Sequence, residues 1–117
     1  MPTKTESLNS DCPKDIARAA ALLKQGKLVA IPTETVYGLA ANGLSVDAVE
    51  AVFTAKGRPA DNPLILHVTS IDAAIPLWAA TTQQLAIAAA LAEAFWPGPL
   101  SIVLKAASSV PNIVTAG

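Results

Sequence analysis

The chain has 117 residues, of which 52% are hydrophobic and 15% are charged. This length suits one domain with its own hydrophobic core, and the composition excludes a disordered chain. The formal charge of −1 excludes a basic surface spread over the whole chain, of the kind that binds nucleic acids. Any anion must therefore be held by a local group of cations.

No apolar run approaches the roughly 18 residues that a membrane-spanning helix needs. The first 11 residues are polar and lack the apolar core of a signal peptide. We therefore expect a cytoplasmic protein with no membrane partner. Cys12 is the only cysteine and His67 the only histidine, which excludes an internal disulfide and leaves no cluster for a protein-only metal site.

The chain begins with a stretch over residues 1–11 that we expect to be a mobile tail, ahead of a domain that fills residues 12–117. Ser10 or Asp11 is predicted to cap a first helix that has Pro13 in its first turn and ends just before a glycine. The buried face of this helix is predicted to consist of four apolar side chains, Ile16, Ala19, Ala20 and Leu23.

Three further helices are predicted from their capping residues. Ser45 is placed to cap a helix over residues 46–56 that Gly57 stops. Ser70 is placed to cap a short helix, and residues 81–84 resemble a capping box that opens a helix of about three turns. The side chains of the 46–56 helix that are predicted to face the core are Ala48, Val49, Val52 and Phe53.

Short apolar segments at residues 27–31, 64–68 and 100–104 predict buried strands, because each is too short for a helix and is flanked by turn residues. Helices and strands therefore alternate along the chain. This order predicts an α/β fold with helices layered on a sheet.

Residues 32–39, with the sequence PTETVYGL, follow the first predicted strand and combine two hydroxyls, a carboxylate and a phenol. Loops that leave the ends of strands are the usual place for ligand contacts in α/β proteins. The same residues are also typical of a turn whose side chains bond to nearby backbone groups. The residues by themselves leave both interpretations open.

Lys56 and Arg58 flank a glycine at the end of the second predicted helix. The glycine allows a turn in which the two cations converge on one anion, although cations at this place also stabilise the negative end of the helix dipole. Asn62 follows with a donor and an acceptor for a nucleotide. His67, near the end of an apolar segment, fits either a hydrogen-bonded core residue or a ligand contact.

The common nucleotide-binding fingerprints, the P-loop and the G-x-G-x-x-G turn, are absent from the sequence. Four motifs instead follow one another in the order and approximate spacing of the YrdC/Sua5 family, which this chain resembles from about residue 13 to its end. They are IPTETVYGLA at 31–40, FTAKGRP at 53–59, NPL at 62–64 together with His67, and WPGPLS at 96–101.

The resemblance implies a YrdC/RibB-like fold, a twisted mixed sheet with flanking helices. It also implies an L-threonylcarbamoyladenylate synthase, which joins L-threonine, bicarbonate and ATP into threonylcarbamoyl-AMP and releases pyrophosphate for the t6A modification of tRNA. Thr35 and His67 match threonine contacts of the family, and Arg58, Asn62 and Thr115 match ATP contacts.

The reaction gathers negative charge where a carbamate oxygen attacks the α-phosphate, so Lys56 and Arg58 are predicted to be catalytic and to contact ATP, with Mg²⁺ sharing the phosphate charge. The family continues with an arginine-containing strand and a Pro-Ser-Ala-Asn type motif, neither of which occurs here, so the domain is expected to be incomplete on its C-terminal side. The alternatives are a non-catalytic module that binds RNA, and a remnant that binds no ligand well. RNA or tRNA-modification proteins are the macromolecular partners that we expect.

Overall fold

The computed structural model describes residues 4–57, 59 and 62–116. Within these residues, one small sheet is preceded by one helix and followed by several, which confirms the α/β class. The elements are α1 (Pro13–Lys24), β1 (Val29–Ile31), β2 (Gly38–Ala40), α2 (Val46–Lys56), α3 (Ile71–Ala74), a 3₁₀ turn (Ile75–Leu77), α4 (Thr82–Phe95) and α5 (Asn112–Thr115).

The sheet is an antiparallel hairpin of β1 and β2, in which Ala30 pairs with Leu39 at the centre. The predicted first strand is confirmed, although it is shorter than expected. Its partner β2 lies inside the segment that the sequence assigned to a ligand loop. Residues 32–37 are therefore the connection of a hairpin, with both of their ends fixed by the strand pairing.

Helix α2 has the bounds that the sequence predicts. The Ser45 hydroxyl accepts a hydrogen bond from the Ala48 amide at 3.3 Å, which satisfies one of the free donors at the helix start. Gly57 ends the helix in the left-handed conformation with φ of 62°, which a glycine adopts without steric cost. The four side chains predicted to face the core are all buried.

Helix α1 differs from its prediction in two respects. Its N-cap is Cys12, with no side-chain capping bond, so the prediction of Ser10 or Asp11 is wrong. The Asn9 amide instead donates to the Asp15 carboxylate at 2.8 Å. The predicted buried face is also wrong, because none of the residues of α1 is buried and the Ile16 side chain is 55% exposed.

The tail is held by a few polar contacts where the structure describes it. Glu6 lies 3.3 Å from the Arg18 guanidinium, and both side chains are about half exposed. An exposed ion pair of this kind contributes about 0–1 kcal/mol. The division into a mobile tail over 1–11 and a domain over 12–117 stays a prediction.

The caps of the later helices are confirmed. The Ser70 hydroxyl accepts from the Ala73 amide at 3.2 Å at the start of α3. At the start of α4, the Thr81 hydroxyl accepts from the Gln84 amide at 3.1 Å, and the Gln84 side chain accepts from the Thr81 amide at 3.0 Å. This reciprocal pair is the predicted capping box, and the helix continues to Phe95.

The predictions of strands at residues 64–68 and 100–104 are wrong, because neither segment forms a ladder with another part of the described chain. Exposure nevertheless alternates along residues 64–68 and 101–105, as in a strand with one covered face. The Leu64 amide donates to the Val114 carbonyl at 2.8 Å, and Trp78 forms an isolated bridge with Ala106. A strand requires a series of backbone hydrogen bonds to a neighbouring strand, and these isolated bonds do not form such a series.

The core forms where α2 packs against α5, a helix that the sequence did not predict. Val49 and Phe53 of α2 meet Val110 and Val114, and all four side chains are at most 6% exposed. The partly buried side chains that pack against this core are Leu64, Leu66, Leu77, Ala106 and Ile113. The core therefore joins two regions of the chain that lie about half its length apart.

Replacing Phe53 by alanine tests this core, and Phe95 offers a matched control because its side chain is 59% exposed. We expect Phe53→Ala to lower the free energy of unfolding by about 3–5 kcal/mol, because it leaves a cavity between α2 and α5. Phe95→Ala should change it by about 0.5 kcal/mol. Urea unfolding measures both, and equal losses would contradict the core described here.

Candidate active site

A cavity of about 790 Å³ lies beside the core, between residues 64–69 and residues 96–104. Its volume falls within the usual range for small-molecule sites, and most of its lining is apolar. Five polar side chains interrupt that lining, namely Glu34, His67, Thr69, Ser101 and Thr115. Both tryptophans of the chain, Trp78 and Trp96, also line it.

His67 stands where this cavity approaches a second one of about 480 Å³, and it lines both. Its Nδ1 lies 3.1 Å from the Ile65 carbonyl oxygen. Because a carbonyl only accepts, Nδ1 carries the proton in this contact. The Nε2 of the neutral ring is then left as an acceptor for a hydroxyl or an N–H group, and the exposed position of the ring makes it accessible.

Thr115 is placed on the same cavity by α5. Its hydroxyl donates to the Asn112 carbonyl at 3.2 Å, one turn earlier, and its side chain is exposed. A hydroxyl that donates within its own helix keeps its lone pairs for a donor on a ligand. The structure thus brings together two of the side chains that the sequence selected, His67 and Thr115.

The hairpin connection at residues 32–37 is closed by Thr33. The Thr33 hydroxyl donates to the Val36 carbonyl and accepts from the Thr35 amide at 3.2 Å. These two bonds link both halves of the loop, so its tip projects from the hairpin with the Tyr37 side chain 77% exposed. Both interpretations of this motif are therefore compatible with the loop, since Thr33 bonds locally and other side chains point outward.

Three further predicted site residues that the structure describes do not line either cavity. Thr35 is exposed at the loop tip, Lys56 is exposed at the last position of α2, and Asn62 is exposed before residue 64. Arg58 lies outside the described residues. The roles predicted for these side chains stay predictions.

Glu34 also lines the cavity, although it was not among the predicted contacts. It is the one carboxylate among the described lining side chains. The signal was present in the motif at residues 32–39, which contains a single acid between two threonines. The sequence could not show which of these neighbouring side chains faces the cavity, because the direction of each depends on how Thr33 closes the loop.

Among residues 4–57, 59 and 62–116, no group of three His, Cys, Asp or Glu side chains is placed to hold a metal ion. In the same part of the chain, none of the helices has the length and apolar character needed to cross a membrane.

Comparison with known proteins gives a family model and individual relatives that belong to the same family. The family model Sua5/YciO/YrdC, described as "Telomere recombination", matches residues 21–117. A threonylcarbamoyl-AMP synthase of Pyrococcus abyssi is 50% identical over 99 residues, which are 85% of this chain and 28% of the relative. One of Bacillus subtilis is 44% identical over 114 residues, which are 97% of this chain and 32% of the relative.

A solved structure gives the same result for the fold. The crystal structure of P. abyssi Sua5 complexed with L-threonine superposes with a TM-score of 0.81 at 49% identity, covering 89% of this chain and 30% of that one. The chain therefore spans about a third of the length of these relatives.

Thr33 offers a test of how the hairpin loop is held. Thr33→Val removes both hydroxyl bonds with little change in shape, and we expect the Thr35 amide to exchange its hydrogen about fivefold faster, as the loss of about 1 kcal/mol implies. Thr33→Ser keeps the hydroxyl and should leave the rate near that of the unsubstituted chain. Amide exchange followed by NMR measures both, and equal acceleration by valine and serine would refute the role of the hydroxyl.

Proposed function

The chain belongs to the Sua5/YciO/YrdC family, and from that membership we propose that it takes part in the synthesis of threonylcarbamoyl-AMP. The observation that carries the proposal is its identity of 50% and 44% to two threonylcarbamoyl-AMP synthases over 85% and 97% of its own length. The substrates would be L-threonine, bicarbonate and ATP. The compartment we propose is the cytoplasm, where the product would serve tRNA modification, with RNA or tRNA-modification proteins as further partners.

The proposed reaction has two bond-forming steps. The threonine amine attacks the carbon of bicarbonate, which forms the N–C bond of a carbamate and releases water. An oxygen of the carbamate then attacks the α-phosphate of ATP, the bond from that phosphorus to the β-phosphate oxygen breaks, and pyrophosphate leaves with the electron pair. Catalysis of such a reaction depends on holding two anionic reactants together.

The threonine end of the site is supported by the cavity that His67 lines. Its Nε2 is free to accept from the substrate hydroxyl, in agreement with the threonine contact that the family resemblance implies for it. Thr35, on the adjacent hairpin loop, is proposed as the second threonine contact. Crystallised P. abyssi Sua5, which is 49% identical, binds L-threonine, and this supports the same ligand here.

The ATP end is proposed to lie around the end of α2. Lys56 is exposed there, and Gly57 turns the chain immediately after it. Lys56 and Arg58 would hold the phosphate oxygens and stabilise the charge that develops as pyrophosphate leaves. Asn62 and Thr115 would contact the nucleotide, and Thr115 would then do so from the wall of the cavity.

Mg²⁺ would supply positive charge to the phosphates of ATP. The described residues do not fit a site in which the protein alone holds the ion, because no group of three His, Cys, Asp or Glu side chains occurs among them. Its ligands would then come mainly from the phosphates and from water, as is usual for Mg²⁺ with nucleotides. We assign it no step.

The decisive assay is release of pyrophosphate, measured with the 117-residue chain and with a version extended to the length of its relatives. We expect release from the extended version only when L-threonine, bicarbonate and ATP are all present. A folded extended version that releases no pyrophosphate would refute the proposed reaction. Binding of RNA that weakens with salt and survives Arg58→Ala would favour the non-catalytic alternative instead.

Lys56→Met tests the ATP end in the same extended protein. We expect the Kd for ATP to rise at least about tenfold, because a charge-assisted contact contributes about 1.5–3 kcal/mol, while the Kd for L-threonine stays unchanged. Lys14→Met is the matched control, since Lys14 is also an exposed helical lysine but lines neither cavity. Calorimetry measures both ligands, and an unchanged Kd for ATP in Lys56→Met would contradict the role of Lys56.

A further inference from the structure

The lining of the 790 Å³ cavity contains one charged side chain among the residues that the structure describes, and this side chain is Glu34. Lys56, the proposed phosphate contact, does not line this cavity. The described lining therefore attracts a cation and repels a phosphate chain, so it fits the amino-acid substrate better than the triphosphate of ATP.

The position of Glu34 is fixed by its neighbours rather than by bonds of its own. Within the described part of the chain, its carboxylate has no hydrogen bond and no ion pair, whereas the adjacent Thr33 makes two bonds that close the loop. β1 and β2 hold the two ends of that loop in register. Glu34 is thus carried on a loop that is closed by Thr33, and among the described residues no group bonds to its carboxylate oxygens.

We propose that Glu34 binds the α-ammonium group of the amino-acid substrate, an inference that rests on the proposed function. Glu34 is exposed in the free chain, and most of the cavity lining is apolar. A bound substrate that covers the carboxylate displaces water from it, and a charge-assisted hydrogen bond is stronger there than in open water. Glu34 and His67 line the same cavity, so the first would contact the ammonium group of the substrate and the second its hydroxyl.

The contact acts on binding and not on proton removal. A carboxylate is a much weaker base than an amine, so we assign Glu34 no role in taking the proton from the ammonium group. Once the amine has become a carbamate, its nitrogen has lost the positive charge and the new oxygens carry a negative one. Glu34 then repels the intermediate, while the cations proposed around Lys56 attract it toward the α-phosphate.

Calorimetric titration with two ligands separates this contact from general damage to the site. One ligand is L-threonine, and the other is the 2,3-dihydroxybutanoate of the same configuration, in which a hydroxyl replaces the amino group. We expect Glu34→Gln to raise the Kd for L-threonine at least about tenfold and to change that for the dihydroxy acid by less than about twofold, because only the charged contact is lost. Glu93→Gln, at an exposed position of α4 away from the cavity, should change neither.

Kinetics of the extended protein provide a second readout. Glu34→Gln should raise the KM for L-threonine by a factor similar to that in Kd and leave kcat within about twofold, because the ammonium contact is made before the chemical steps. A proportional loss of affinity for both ligands, or an unchanged Kd for L-threonine, overturns the inference while leaving the proposed function intact. If the unsubstituted extended protein binds no L-threonine, the proposed function and the inference both fail.

Discussion

The contact between α2 and α5 is the interaction on which the rest of the described structure depends. Val49 and Phe53 lie against Val110 and Val114, and burial of each such side chain contributes about 1.5–3 kcal/mol. Residue 64 lies eight positions after the end of α2, and residue 104 lies eight positions before the start of α5. Packing of the two helices therefore brings together the two chain segments between which the cavity forms.

The walls of the cavity have the side-chain pattern of strands without the backbone pairing of strands. Exposure alternates along residues 64–68 and 101–105, and Val103 is 89% exposed. One bond from the Leu64 amide to the Val114 carbonyl, together with the packing of Leu64 and Leu66 on the core, holds the first segment in place. In the described chain, hydrophobic contacts therefore hold this wall of the cavity in place, and a sheet does not.

The polar groups of the candidate site come from three separate parts of the chain, and the negative group lies apart from the positive one. The hairpin supplies a carboxylate, the segment after α2 supplies an imidazole, and the end of α2 supplies an ammonium group outside the cavity. In the proposed function, L-threonine presents an ammonium group and ATP presents a chain of phosphates. Two subsites of opposite charge would suit these two groups and would allow the reacting atoms to meet between them.

Local features of the fold were predictable from the sequence because local bonds determine them. Ser45 and Gly57 fix the two ends of α2, and the pair Thr81 and Gln84 fixes the start of α4. Each of these contacts spans at most four residues, and the core face of α2 follows from helical spacing. The same reasoning failed at the start of α1, where the Asn9 amide bonds to the Asp15 carboxylate and no side chain caps the helix. It also failed at residues 64–68 and 100–104, because a strand exists only with a partner and the sequence of a segment does not contain its partner.

The sequence by itself determined the family, the α/β class and the motifs from which the site is built, since these depend on residue identity and order. Only the tertiary structure decided that His67 and Thr115 share a cavity, and that Glu34 faces it from the neighbouring hairpin. The physical reason is that these side chains are brought together by the α2 and α5 core and by the Thr33 bonds. The first of these contacts joins residues some 60 positions apart in the chain, where sequence spacing carries no information about distance.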